Sequence, residues 1–159
     1  MLKKYLLIFL VSMVPLIELR GSIVMAVGMD LPYFPSLAIS AVGNLLPVPI
    51  IYFFARKVLI WGAHRKYIGK AFTFFLEKGE QAGQKLVKKT GRGGLFVALM
   101  LFVAIPLPGT GAWTGTLVAA LFDMKFWKSF FSALVGVLSA GVVMTLISYG
   151  VVAAFGALF

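Results

Sequence analysis

The chain has 159 residues, of which 61 % are hydrophobic and 13 % are charged, and its formal net charge is +10. A soluble domain has about 25 % charged residues, so this chain has too few polar side chains to cover a water-soluble globule. The composition predicts a single integral membrane domain over residues 1–159 and argues against a soluble enzyme or a nucleic-acid-binding protein. With no cysteine and one histidine, the sequence predicts no metal site and no cofactor.

Most of the positive charge lies in one segment. Residues 56–92 hold ten basic and two acidic residues, which is +8 of the total +10. Basic segments beside apolar spans stay on the cytoplasmic side, so we expect this loop to be cytoplasmic. Its apolar residues recur at helical spacing, which predicts an amphipathic helix that contacts anionic lipid headgroups rather than nucleic acid. These apolar positions are Phe72, Phe75, Leu76, Gly79, Gly83, Leu86 and Val87.

Two apolar stretches precede this segment and two follow it, at residues 5–29, 31–55, 93–122 and 129–159. A membrane-spanning helix needs about 20 apolar residues. The third stretch instead has arms of 12 and 11 residues, 94–105 and 112–122, on either side of a tip rich in proline and glycine. Pro106 and Pro108 interrupt a helix and Gly109 permits a reversal. We therefore predict a re-entrant hairpin with its tip near the midplane, the alternative being one kinked helix.

The first stretch has the same plan as the third. Its tip, residues 15–21, contains Pro15 and Gly21 and holds two charged residues, Glu18 and Arg20. Whether the stretch is re-entrant or spanning, this position places both charges near the middle of the membrane.

An offset of 93 residues relates the two halves of the sequence. It places Pro15 on Pro108, Asp30 on Asp123 and Ser36 on Ser129. With one hairpin and one spanning helix in each half, the second half is inverted relative to the first, as in many secondary transporters. The predicted organisation is a first repeat at 5–56, an amphipathic linker at 57–92 and a second repeat at 93–159.

Glu18 and Arg20 are the strongest functional candidates. Ionisable side chains in the bilayer core are costly, and they normally pair with each other or face a cavity. A low-dielectric site disfavours the charged form of a carboxylate, so Glu18 is the candidate for carrying a coupling proton. The guanidinium fork of Arg20 suits a phosphate or carboxylate, so Arg20 is the candidate for binding an anionic group. A structural salt bridge between the two is the alternative.

Other polar and irregular positions are candidates for the same site. Asn44 is the only amide side chain in the apolar stretches. It precedes Pro47 and Pro49, which break the helix there, and either satisfies that broken backbone or binds a ligand. The second tip offers backbone N–H groups at the start of a half-helix, which suits an anion. The further candidates for lining a substrate site are Thr110, Gly111, Trp113 and Thr114.

Small residues at 132, 136 and 140 lie on one face of the last stretch. They permit close helix packing, either within the monomer or in a homo-oligomer. The sequence contains no catalytic triad, zinc motif or paired carboxylates. We therefore predict a transporter and no enzyme, with a lipid-binding or scaffold membrane protein as the alternative.

Three motifs carry a family resemblance. They are Pro-Leu-Ile-Glu-Leu-Arg-Gly at 15–21, Gly-Asn-Leu-Leu-Pro-Val-Pro at 43–49, and Ala-Ile-Pro-Leu-Pro-Gly-Thr-Gly-Ala-Trp-Thr-Gly at 104–115. With them the sequence resembles the prokaryotic small multi-drug export protein family, and remotely the DedA and VTT-domain membrane proteins. The family name implies export of small drug molecules.

The DedA and VTT-domain likeness implies a multi-pass plasma-membrane protein with two re-entrant hairpins and proton-coupled movement of a lipid-type substrate. It further implies a hairpin acidic residue at Glu18 and an anion-handling arginine at Arg20. DedA proteins typically carry arginines in the second hairpin as well, whereas residues 106–111 are uncharged here. The expected substrate is an anionic amphiphile or phospholipid-type molecule.

Overall fold

The computed structural model describes residues 1–15, 17–65, 69–107 and 110–156. Within these ranges the chain is helical and contains no strand. The helices are α1 (Leu2–Met13), α2 (Glu18–Gly28), α3 (Tyr33–Leu45), α4 (Pro47–Ala63), α5 (Gly69–Thr90), α6 (Arg92–Ala104), α7 (Ala112–Leu121) and α8 (Phe126–Gly156). The predicted all-helical class is confirmed.

The breaks after α1 and after α6 have the same backbone geometry. Each helix ends at an extended residue, Val14 with φ −74° and ψ 127° and Ile105 with φ −71° and ψ 120°. A proline follows each of them, and proline disfavours helical angles in the preceding residue. The geometry therefore matches Pro15 with Pro106, 91 residues on, rather than with Pro108 as the sequence offset indicated. Pro108 and Gly109 lie outside the described residues.

The two second arms, α2 and α7, end in the same way. Asp30 has φ 54° and Asp123 has φ 52°, a left-handed conformation that aspartate tolerates better than most residues. The amide of Leu31 bonds to the carbonyl of Ala26 at 3.0 Å, and that of Met124 to Ala119 at 3.0 Å. These bonds close a Schellman-type helix end. Each bond lies 93 residues from its counterpart, so the second arms follow the offset that the sequence indicated.

Two of the described helices are long and apolar enough to cross a membrane, Tyr33–Ala63 and Phe126–Val151. The first contains both α3 and α4, because Leu46 between them keeps helical angles. Pro47 is the first residue of α4 and Pro49 lies in its first turn. Large apolar side chains such as Phe54, which is 67 % exposed, cover the outside of these helices. The long apolar helices indicate a membrane protein, as predicted.

The helices on either side of the two breaks pack in a crossed pattern. α1 packs mainly on α3 and α6 on α8, whereas α2 packs on α8 as well as on α3, and α7 packs on α4 as well as on α8. Gly43 and Gly136 allow the close approach of the first arms. A side chain at Gly43 would overlap Ser12, and one at Gly136 would overlap Val103. The core between the arms is apolar and includes Leu19, Ile23, Leu45, Val48, Leu99, Val103, Ala112 and Val137.

α4 is tied to the chain segment that follows α7. The hydroxyl of Tyr52 donates to the carbonyl of Met124, and Arg56 forms an ion pair with Asp123. Beyond this point lies α5, a 22-residue helix at the place where the amphipathic helix was predicted. Its lysines at 70, 78, 85, 88 and 89 are exposed. The side chains at its predicted apolar positions lie outside the described part of the chain.

Candidate functional site

Glu18 and Arg20 lie where the break of the first hairpin meets the break of the second. Glu18 is the first residue of α2, has φ 52°, and is only 4 % exposed. Arg20, two residues further along, is half-buried. Both side chains are directed to the second hairpin, about 90 residues away in the sequence.

The carboxylate of Glu18 caps α7. The amides of Ala112 and Trp113 donate to its Oε2 and Oε1, each at 3.1 Å. These are the first two amides of α7, and neither has an acceptor within its own helix. A negative charge also interacts favourably with the partial positive charge at a helix N-terminus. Glu18 thus acts as a helix cap supplied from another hairpin.

Gly111 makes room for this carboxylate. It is the residue before α7 and is buried. A methyl group built on Gly111 would overlap the carboxylate atoms of Glu18. The contact therefore requires glycine at this position, and Gly111 has no side chain with which to cap α7 itself.

Arg20 caps the opposite end of the break. Its Nη1 donates to the carbonyl of Leu107, and its Nη2 donates to the carbonyl of Ile105 and to the hydroxyl of Thr110, both at 3.0 Å. The hydroxyl of Thr110 lies 2.7 Å from the carbonyl of Ile105. Carbonyls at a helix C-terminus lack intrahelical donors and carry partial negative charge. The positive side chain therefore lies at the end of α6, and the negative one at the start of α7.

The two charges do not form a salt bridge with each other. In the described part of the chain the ion pair within 4.0 Å is Arg56–Asp123. Glu18 and Arg20 instead neutralise the two ends of the second break separately. This arrangement differs from the locked salt bridge considered as the alternative on sequence grounds, and it shows why an uncharged second tip can be stable inside the protein.

The other predicted site residues fall into two groups. Thr110, Gly111 and Trp113 belong to the cap just described. Asn44 is 2 % exposed, and its Oδ1 has no hydrogen-bond partner among the described residues. Thr114 is half-buried on α7. No hydrogen bond in the described structure joins Asn44 or Thr114 to the tips.

Of the predicted helix-break residues, Pro15 and Pro106 follow the last turns of α1 and α6, whereas Gly21 lies inside α2. Pro15 is exposed in the first tip, and Gly21 is half-buried in α2, where a methyl group would overlap Ile17. Pro106 is half-buried beside the end of α6.

Sequence reasoning identified the charged pair but not its partners. The start of α7 was predicted to suit an anion, and the structure fills it with the protein's own carboxylate. The carbonyls of Ile105 and Leu107 were not predicted to take part. The signal that could have found them is the complementarity of the tips, one with two charges and the other with none.

A family model described as "Putative small multi-drug export protein" matches residues 18–143, which is most of the chain and includes the second tip and residues 18–21 of the first. No curated protein and no solved structure matches the chain.

Proposed function

Because this chain belongs to the small multi-drug export protein family, we propose that it is a proton-coupled exporter in which Glu18 carries the coupling proton. Family membership and the long apolar helices indicate a membrane exporter. We further propose that the chain acts in a prokaryotic plasma membrane and that it catalyses no enzymatic reaction.

The observation that carries the proposal is the cap on α7. Ionised Glu18 has two acceptor oxygens, and it uses one for each amide at the helix start. A protonated carboxyl keeps its carbonyl oxygen but turns the other oxygen into a donor. Protonation thus leaves one buried amide without an acceptor, which is unfavourable by about 1–3 kcal/mol. It also removes the charge that favours the helix N-terminus.

Protonation therefore loosens the attachment of α7 to α2. In the proposed cycle, ionised Glu18 holds the second hairpin closed around its substrate, and a proton arriving from outside opens it. The exporter then exchanges substrate for a proton. A ligand or proton can shift such an equilibrium only through its different affinity for the two states, and the lost cap supplies that difference.

In this proposal Arg20 binds the anionic group of the substrate. Its guanidinium is already bonded to the end of α6. An anionic group on the substrate must replace those carbonyls, and the exchange would detach α6 from α2. The expected anionic amphiphile or phospholipid-type substrate thus breaks the contact of α2 with α6, next to the contact of α2 with α7 that the proton breaks.

The proposed architecture is an inverted repeat with two re-entrant hairpins. The described arms have 10–13 residues, which at 1.5 Å per residue gives about 15–20 Å, roughly half the hydrocarbon thickness. The matching helix ends at Asp30 and Asp123 and the crossed packing of the arms support it. In this arrangement α5 lies on the cytoplasmic face, where its exposed lysines contact anionic headgroups.

The test is substrate-driven proton movement in proteoliposomes that contain a pH-sensitive dye. Three dansyl compounds serve as substrates: neutral dansyl amide, anionic dansyl glycine and cationic dansyl cadaverine. At least one should move protons in the wild type. Glu18→Gln should abolish this flux, whereas Glu77→Gln, the same change at an exposed residue of α5, should not. Equal proton fluxes from wild type and Glu18→Gln would show that Glu18 does not carry the proton.

A further inference from the structure

A column of buried polar side chains, formed by Ser36, Ser40 and Asn44, runs along α3. Its members follow one another at intervals of four residues, and none of them is more than 2 % exposed. Residues four apart lie on the same face of a helix, and at 1.5 Å per residue the column is about 12 Å long. It runs from the first turn of α3 to the end of that helix at Leu45.

The corresponding face of the second half is apolar. The 93-residue offset places Ser40 on Ala133 of α8. It places Asn44 on Val137, and both apolar residues belong to the core. The polar column is therefore a feature of the half of the chain that carries Glu18.

Two members of the column have polar atoms without partners. Ser40 Oγ and Asn44 Oδ1 are buried and make no hydrogen bond in the described part of the chain. Several other helical hydroxyls donate to the carbonyl four residues earlier in their own helix, namely those of Ser36, Thr116, Ser129, Ser139 and Thr145. Ser40 does not make this bond. A buried polar group without a partner is unfavourable, and ordered water satisfies such groups in native proteins.

The α1 side of the column is polar as well. Ser12 is fully buried on α1, and its Oγ lies against Gly43, where a side chain would overlap it. This hydroxyl donates to the carbonyl of Phe9 at 2.7 Å, which leaves its lone pairs able to accept a bond. Gly43 is the neighbour of Asn44 in the chain. Polar side chains from two helices therefore lie at the same level of the protein.

The first tip begins at this level. α1 ends at Met13, directly after Ser12. The amide of Glu18 donates to the carbonyl of Val14 at 3.0 Å. The polar column thus leads from the start of α3 to the level of the tip that holds Glu18.

We infer that Ser40 and Asn44 bind ordered water, and that this water is the route by which a proton reaches Glu18 from the start of α3. In the proposed topology this end of α3 faces outside. Each water accepts one proton and releases another as one O–H bond forms and one breaks, and a carboxylate oxygen of Glu18 accepts the last proton. Ser40 and Asn44 are positioning residues that hold the water. The inference rests on the proposed proton coupling and names the path that serves it.

The first experiment tests for the water without any transport. It compares thermal midpoints in detergent for Ser40→Ala, Asn44→Leu and the double variant. Leucine keeps the branched shape of asparagine and has no polar atom. If both side chains bind the same water, each single change should lower the midpoint, and the double change should lower it by less than the sum. A midpoint that does not fall in either single variant, or additive losses, would overturn the shared water.

The second experiment measures substrate-driven proton flux in proteoliposomes. Ser40→Ala and Asn44→Leu should each slow the flux about ten-fold, whereas Asn44→Ser, which keeps a group that binds water, should stay near the wild type. Ser148→Ala is the matched control, because Ser148 Oγ is also buried without a partner among the described residues but lies on α8, outside the column.

Wild-type flux in Asn44→Leu, or equal slowing in Ser148→Ala, would overturn the route. The outcome for Glu18 is separate. Loss of flux in Glu18→Gln together with wild-type flux in Asn44→Leu would remove the route and keep Glu18 as the proton carrier. Flux that persists in Glu18→Gln would overturn the proposed coupling and the route with it.

Discussion

The carboxylate of Glu18 fills the volume in which a side chain at Gly111 would lie. The two residues are 93 positions apart, the same offset that separates Asp30 from Asp123. They thus occupy matching places at the starts of the two second arms, and they touch. Because Glu18 supplies the carboxylate and Gly111 supplies the space that it fills, this contact cannot be symmetric between the two halves of the chain.

We expect Gly111→Ala to destabilise the protein. The added methyl group overlaps the carboxylate, and overpacking of this kind costs about 1–3 kcal/mol. The thermal midpoint in detergent should fall. Gly28→Ala is the control, because nothing lies within 4 Å of a methyl group there. In a Glu18→Ala background the effect of Gly111→Ala should be much smaller. An equal loss in both backgrounds would show that the contact does not cause it.

Arg20→Lys should lower stability although it preserves the charge. One guanidinium donates to two carbonyls and a hydroxyl, and an ammonium cannot reproduce this planar geometry. Losing one or two charge-assisted hydrogen bonds costs about 1.5–3 kcal/mol each. Arg56→Lys, at the more exposed ion pair with Asp123, should change stability by less than about 1 kcal/mol. Thermal unfolding of both variants measures the difference, and equal shifts would contradict the capping role.

Substitutions at Asp30 and Asp123 should have parallel effects. Both residues have positive φ, which costs about 1–2 kcal/mol for residues other than glycine, asparagine and aspartate. We expect valine at either position to destabilise the protein by that amount and glycine to be tolerated. Asp123→Val should be slightly worse because it also removes the ion pair with Arg56. Opposite responses at the two positions in unfolding experiments would argue against equivalent helix ends.

The side of the membrane on which α5 lies can be tested by labelling. The chain has no cysteine, so single cysteines report their own position. Lys78→Cys should react with an impermeant thiol reagent in inside-out vesicles and not in intact cells. Lys3→Cys, at the exposed start of α1, should show the reverse pattern, because one re-entrant hairpin and one spanning helix before α5 place the N-terminus outside in the proposed topology. Labelling of Lys78→Cys in intact cells would place the basic loop outside.

The sequence was sufficient to predict the breaks after α1 and α6, because proline acts on its own neighbours. It was wrong at Pro47, where Leu46 keeps helical angles, and at Gly21, which lies inside α2. It was also sufficient for the long apolar helices and for the helix at α5. It did not reveal that the second tip is longer, so that Pro15 matches Pro106. Nor did it reveal which groups Glu18 and Arg20 contact, because these partners are backbone atoms about 90 residues away and carry no residue-specific signal. The re-entrant placement, the inverted repeat and the substrate role of Asn44 and Thr114 stay predictions.

The caps of the second break have a consequence for the order of assembly. Both charged side chains that complete α6 and α7 belong to α2, and α2 leaves the ribosome long before them. α2 must therefore keep its carboxylate and guanidinium without these partners until α6 and α7 have been made. The C-terminal half made alone would lack both caps and should fail to insert stably, whereas supplying residues 1–65 as a separate chain should rescue it.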